Sequence, residues 1–279
     1  MTGIDDPETY YDEHADEEWD RLTDTLHGRL EWEGTVERLD RHLPETGRVL
    51  DAGGGAGRYA VWLAERGYDV TLVDPSEGQR RTAREKVAER GSEDRVAVRE
   101  GEVRDLAFDD GAFDATLCLG GPLSHVLDAD ERARAAAELD RVTASGGPVF
   151  ASVMGRLNLL VLLLVDGKHL SALDLLARTG DYDADFVERL DHDSMFTETH
   201  FFRADEFEAL LAGAGLTVEE LVGLEGLASV FTAGRLRERA EGLSDGERDG
   251  VRALVEELRD DRATADVSAH VLAVCRAGE

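Results

Sequence analysis

Residues 48–60, Arg-Val-Leu-Asp-Ala-Gly-Gly-Gly-Ala-Gly-Arg-Tyr-Ala, join a short apolar run to an amphipathic one through four glycines. Glycines let a backbone turn sharply and let a ligand approach its peptide N–H groups. A helix starting behind such a loop favours a negatively charged group at its N-terminus. The segment therefore predicts a strand–loop–helix unit built around a ligand. Asp51 stands at the tip of its strand, and Asp74 closes the next apolar run.

The same alternation continues on both sides of Asp74. Strands are predicted at 48–51, 69–74, 95–100, 113–119 and 148–153, with helices at 58–66, 76–90 and 128–144. Short apolar strands alternating with helices give a doubly wound, Rossmann-like α/β fold, with a mostly parallel sheet and helices on both faces. Before it, residues 5–42 have Trp19, Leu22, Leu26 and Leu30 at helical spacing. After it come an apolar helical stretch at 157–176, a polar segment at 181–200, a helix near 204–214, a sixth strand at 216–222, charged helices over 234–262 and a last strand at 268–276. The expected organisation is an N-terminal helical lid segment (1–44), a ligand-binding core (45–153), a helical cap insertion (154–205) and a C-terminal completion of the sheet (206–279).

Which ligand the loop takes depends on its neighbours. A phosphate-binding P-loop needs a lysine that is missing here. A dinucleotide fingerprint fits in one frame, from Gly55 to Ala60, so the glycines alone leave NAD open. Asp51 points elsewhere, because an acid there would repel a pyrophosphate and suits a cationic amino group. S-adenosylmethionine carries an ammonium, a sulfonium and a carboxylate together. Asp51 can answer the ammonium, the loop N–H groups the carboxylate, and Asp74 the ribose hydroxyls.

Charge narrows the class of partner. The chain has 61 acidic and 31 basic residues in 279, a formal net charge of −30, and its only lysines are Lys86 and Lys168. Such a surface repels nucleic acid and anionic membranes. The acids are spread between well-patterned apolar segments, and 42% of residues are apolar, so the chain is expected to fold. Adaptation to high salt is the expected reason, since molar salt shortens the Debye length to about 3 Å and screens the self-repulsion. The fold should loosen in dilute buffer and recover in molar KCl; a melting temperature equal in both would refute this. The acidic, polar N-terminus is not expected to act as a signal peptide, and the apolar run at 157–165 is too short to span a bilayer. A cytoplasmic protein is expected. Cys118 and Cys275 lie in strand-like runs and read as buried free thiols.

Val49 to Ala60, Val73-Asp74-Pro75-Ser76, Gly101 to Phe108, and Phe113 to Gly120 follow in an order that resembles the class I S-adenosylmethionine-dependent methyltransferases. The likeness is to the small-molecule group similar to ubiquinone/menaquinone-biosynthesis enzymes. It implies a seven-stranded sheet with the last strand antiparallel, S-adenosylmethionine as cofactor and a small-molecule methyl acceptor. It implies that Asp51, Gly53 and Gly55 hold the methionine end and that Asp74 takes the ribose. Glu102 and the Val103 backbone N–H would read the adenine, and Leu119 would lie beside the reacting methyl. Position 102 is more often Asp in this family. Tyr10-Tyr11-Asp12 resembles a segment that folds over the cofactor, with Tyr11 as the contact; simple packing of the first helix is the alternative. His125 and His200 are candidate substrate contacts, and no catalytic residue is assigned. His192, Asp193, Glu198 and His200 follow no ligand spacing, so no metal is expected. An NAD-dependent oxidoreductase and a non-catalytic S-adenosylmethionine-binding protein remain as alternatives, since one scaffold hosts several functions.

Overall fold

The computed structural model describes residues 4, 6–189 and 196–278. Its centre is a seven-stranded sheet: β1 (Arg48–Ala52), β2 (Asp69–Asp74), β3 (Val96–Glu100), β4 (Ala115–Cys118), β5 (Pro148–Met154), β6 (Thr217–Gly223) and β7 (His270–Arg276). The spatial order is β3-β2-β1-β4-β5-β7-β6. Pairs from β3 to β5 are parallel, while β7 runs antiparallel to both β5 and β6. This is the doubly wound, mostly parallel sheet that the sequence predicts, with the antiparallel last strand that the family resemblance implies. The central strands are apolar on both faces because helices cover both. Cys118 and Cys275 are buried free thiols in β4 and β7.

Helices α1 (Pro7–Glu13), α2 (Ala15–Asp24) and α3 (Leu26–His42) precede the sheet. The predicted helical segment 5–42 is thus broken twice. The second break has a clear cause: Thr25 is extended, and its hydroxyl accepts from the Gly28 N–H as the N-cap of α3. Next come α4 (Arg58–Glu65), α5 (Glu77–Glu89) and α6 (Ala129–Val142). One face of the sheet packs Val49, Leu72, Leu117 and Phe150 against Trp19, Leu39, Tyr59 and Trp62. The other packs Leu50, Val73, Cys118 and Val149 against Leu139, Phe207 and Leu211.

After β5 the chain forms α7 (Arg156–Asp166) and α8 (Leu173–Thr179), then α9 (Ala204–Gly213), α10 (Gly234–Glu241) and α11 (Asp245–Leu258). The apolar stretch at 157–176 is two helices, not one, because Gly167 caps α7 in the left-handed conformation. Asp181–Tyr182 pairs with Thr199–His200 as a short antiparallel ribbon around a small core of Leu159, Leu163, Tyr182 and Phe186. Among the described residues no helix is long and apolar enough to cross a membrane.

Candidate active site

The order of strands reverses between β1 and β4, and open α/β sheets bind ligands at the carboxyl ends of the strands there. A cavity of about 310 Å³ opens at that point. Tyr11, Gly53, Gly55, Asp74, Glu102, Val103, Leu119 and His125 all line it. Six separate segments supply these side chains and loops. Asp51 and His200 are not among the lining residues.

The glycine loop is held tightly under the cavity. Gly53 has φ +72°, and a Cβ there would stand 2.5 Å from Pro122. A Cβ on Gly54 would stand 2.6 Å from Asp51 Oδ2. Asp51 therefore lies behind the loop rather than on the cavity wall. The loop N–H groups expected to meet a carboxylate are spent on the fold: Gly53 and Gly54 donate to the Val73 carbonyl, and Gly55 donates to Asp74 Oδ2 at 2.9 Å. The loop uses these donors to fasten itself to the tip of β2.

Asp74 is buried at that tip, and its Oδ1 accepts from the Ser76 N–H at 3.0 Å. Burial raises its carboxyl to about 6, against the opposing pull of those two N–H donors. Burial also raises Asp51 to about 7, helped by the charge of Asp74. Glu102 is half exposed and ion-paired with Arg104 at 2.5 Å, while Val103 is buried beside it.

The N-terminal helices form the opposite wall. Asp12 accepts from the Ser76 hydroxyl at 2.5 Å and the Gly78 N–H at 2.8 Å. Gln79 Nε2 donates to the Tyr11 carbonyl. These bonds fix α1 to the start of α5. Tyr11 and His125 then meet, with Oη 3.0 Å from Nε2. His125 Nδ1 lies 3.0 Å from the Glu198 carbonyl, which can only accept. Nδ1 therefore carries the proton, Nε2 is bare, and the Tyr11 hydroxyl donates to it. Burial lowers the His125 pKa and raises that of Tyr11, so both are neutral near pH 7.

Sequence reasoning missed Arg21. Its guanidinium lines the cavity and reaches to within 3.6 Å of where a Cβ on Gly120 would stand. A fork on Glu31, at 2.6 and 3.1 Å, holds it there, and Glu18 accepts from Nε. The available signal was one arginine in a strongly acidic helix. His200, by contrast, is buried between Asp181 at 2.5 Å and Glu206 at 2.8 Å. His192 and Asp193 lie outside the described residues.

Two buried acceptors at the loop lack hydrogen-bond partners, Asp51 Oδ2 and Gln79 Oε1. Such orphans in a native site mark a missing ligand or water. Gln79 lines the cavity and can receive a cationic group there, while Asp51 acts on it from behind the loop, by its charge or through a bridging water. Arg21 supplies the complementary charge for a carboxylate, and Asp74 has acceptor capacity for hydroxyls. This donor set suits an amino acid joined to a nucleoside, which is the chemistry of S-adenosylmethionine.

Comparison with known proteins agrees with that chemistry. Residues 49–147 match the model of a methyltransferase domain family. The ubiquinone biosynthesis O-methyltransferase of Nitrosospira multiformis is 31% identical over 189 residues, 67% of this chain and 70% of that protein. Other curated methyltransferases match over shorter spans, covering 40% to 52% of their own lengths. A solved methyltransferase from Methanosarcina mazei superposes with a TM-score of 0.60 at 18% identity, over 86% of this chain and 97% of that one. A chain from the complex of the Haloferax volcanii Trm112 methyltransferase activator with a methyltransferase gives 0.59 at 19% identity, over 99% of this chain and 100% of that one. At such identities these two structures speak for the fold alone.

Proposed function

The chain belongs to the S-adenosylmethionine-dependent methyltransferases, and from that premise we propose that it methylates a small-molecule acceptor by in-line displacement at the sulfonium carbon. The observation that carries the reading is the convergence of Tyr11, the glycine loop, Asp74, Glu102-Val103, Leu119 and His125 on one cavity at the switch point of the sheet. The match to an O-methyltransferase of ubiquinone biosynthesis supports an acceptor of that size class.

When bound, S-adenosylmethionine supplies an activated methyl whose leaving group is a neutral thioether. The protein's task is alignment and exclusion of water. Asp74 would accept the ribose hydroxyls, and Glu102 with the Val103 N–H would hold the adenine. Gln79 would accept from the ammonium, Asp51 would act on it from behind the loop by its charge or through water, and Arg21 would meet a carboxylate. Leu119 and Gly120 would flank the methyl. Helix α1, tied to α5 through Asp12, would serve as the lid over the cofactor. The Tyr11–His125 pair is the polar feature at the acceptor end, where His125 Nε2 can receive a proton passed by Tyr11 if the nucleophile must lose one. The insertion at 154–205 reaches this end through the Glu198 carbonyl on His125, in keeping with a cap. The acid-rich surface supports a salt-adapted protein.

Titration calorimetry in molar KCl tests the reading. S-adenosylmethionine and S-adenosylhomocysteine should bind, and NAD should not. Absence of binding by the first two would end the proposal. Binding without methyl transfer to any acceptor in a cell extract would favour a non-catalytic binding protein instead.

A further inference from the structure

One group of metal-ligating side chains outside the cavity stands out among the described residues. His27 and Glu31 lie one turn apart on α3 and face the same side. Glu225 follows β6, and His270 opens β7. One donor atom from each of the four lies within 4.8 Å of the others. Glu31 and Glu225 are 1% and 0% exposed. Two carboxylates buried side by side need compensating cations.

Ordinary hydrogen bonding accounts for three of the four. Arg21 forks onto Glu31. His270 Nδ1 lies 2.7 Å from Glu225 Oε1, and Glu225 Oε2 accepts from the Ser268 hydroxyl and the His270 N–H. His27 is left over. Its Nδ1 has no hydrogen-bond partner, and the other ring nitrogen, Nε2, is 3.5 Å from Glu225 Oε1, too long for a normal bond.

We propose that His27, Glu31, Glu225 and His270 form a binding site for one divalent metal ion of the zinc class. Four-coordinate zinc has bonds of about 2.0–2.2 Å, which place its ligand atoms about 3.3–3.5 Å apart. Two edges already have that length: His27 Nε2 to Glu225 Oε1, and His270 Nδ1 to Glu31 Oε2, each 3.5 Å. The His270–Glu225 edge is shorter because a proton sits in it; the ion replaces that proton, which leaves to solvent, and the edge opens. Two imidazoles with two carboxylates suit zinc, cobalt or manganese better than magnesium or calcium, which prefer oxygen alone. Glu31 also holds Arg21 in the cavity, so the ion sits one residue behind the cofactor site and outside the line of methyl transfer. The proposal does not depend on the methyltransferase reading.

The test uses the full chain, stripped with chelator and kept in molar KCl with excess Mg2+ to occupy surface carboxylates. Titration with Co2+ should give the visible bands of a four-coordinate ion, saturating at one per chain and bleached by one equivalent of Zn2+. His27→Gln leaves the Arg21–Glu31 and His270–Glu225 bonds in place and should weaken Co2+ binding by about a hundredfold or more, with the circular dichroism unchanged. Glu225→Gln, which removes a ligand charge, should also weaken Co2+ binding. Absence of a saturable four-coordinate spectrum in the unaltered chain would overturn the proposal. So would equal affinity in a folded His27→Gln. Calorimetry of S-adenosylmethionine on the same samples keeps a failure here separate from a failure of the methyltransferase reading.

Discussion

Asp74→Ala is expected to weaken S-adenosylmethionine and S-adenosylhomocysteine alike, by about one to three powers of ten in Kd. A buried carboxylate at the tip of β2 can accept both ribose hydroxyls, and each charge-assisted bond contributes about 1.5–3 kcal/mol. The spread in the expectation follows from what Asp74 already does. Its two oxygens accept from the Gly55 and Ser76 N–H groups, so alanine also releases the loop and the start of α5. Asp74→Asn separates these effects: it keeps the volume and one acceptor, and should recover part of the loss. The ratio of the two affinities should not move, because the ribose is common to both ligands. Calorimetry of both ligands on both variants checks this. Loss confined to S-adenosylmethionine would place Asp74 at the methyl end and contradict the ribose assignment.

The features read correctly from sequence are local ones. The run from Val49 through Ala60 declares a strand, a turn and the start of a helix within a dozen residues. Asp74 sits at the end of an apolar run, so periodicity locates it, whereas Glu102 follows a charged stretch and is located by the family resemblance. Position within the site is a different matter. Asp51 lies one residue short of the end of its strand, close to the expected place, yet the turn at Gly54 covers it. His200 follows a polar segment and precedes two phenylalanines, a pattern that says buried but not which way the ring faces; Asp181 and Glu206 decide that. The apolar run from Leu157 to Leu176 masks the break at Gly167, because leucines suit either one helix or two packed together. Arg21 depends on Glu31 across the kink at Thr25. The cluster of His27, Glu31, Glu225 and His270 unites the two ends of the chain, and no spacing rule joins residues brought together only by the last strand of the sheet.

Cofactor affinity is also expected to fall steeply as pH drops below neutrality. Asp51 stands at about 7 and Asp74 at about 6 in the free protein, both raised by burial. The ammonium and the ribose hydroxyls are best met by ionised carboxylates, so protons on these groups compete with the ligand. Each carboxylate costs about a factor of ten in Kd per pH unit below its own pKa. Between pH 8 and pH 5 the expected loss is therefore about two to three powers of ten. The stability of the free protein should respond with the opposite sign. A carboxyl raised on folding stabilises the folded state below its unfolded pKa of about 3.9, and that contribution is lost as pH rises through 6 and 7. Acidification from pH 8 to pH 5.5 should thus favour the free fold at these two sites while it weakens binding. Asp51→Asn distinguishes this from general acid effects on an acidic protein: it should flatten the binding profile between pH 6 and pH 8 and remove the matching part of the slope in melting temperature. Calorimetry in two buffers of different ionisation enthalpy should show proton release on binding near pH 6.5 in the unaltered chain and less in Asp51→Asn. A binding profile flat from pH 5 to pH 8 would mean that neither carboxylate meets the cofactor in its ionised form.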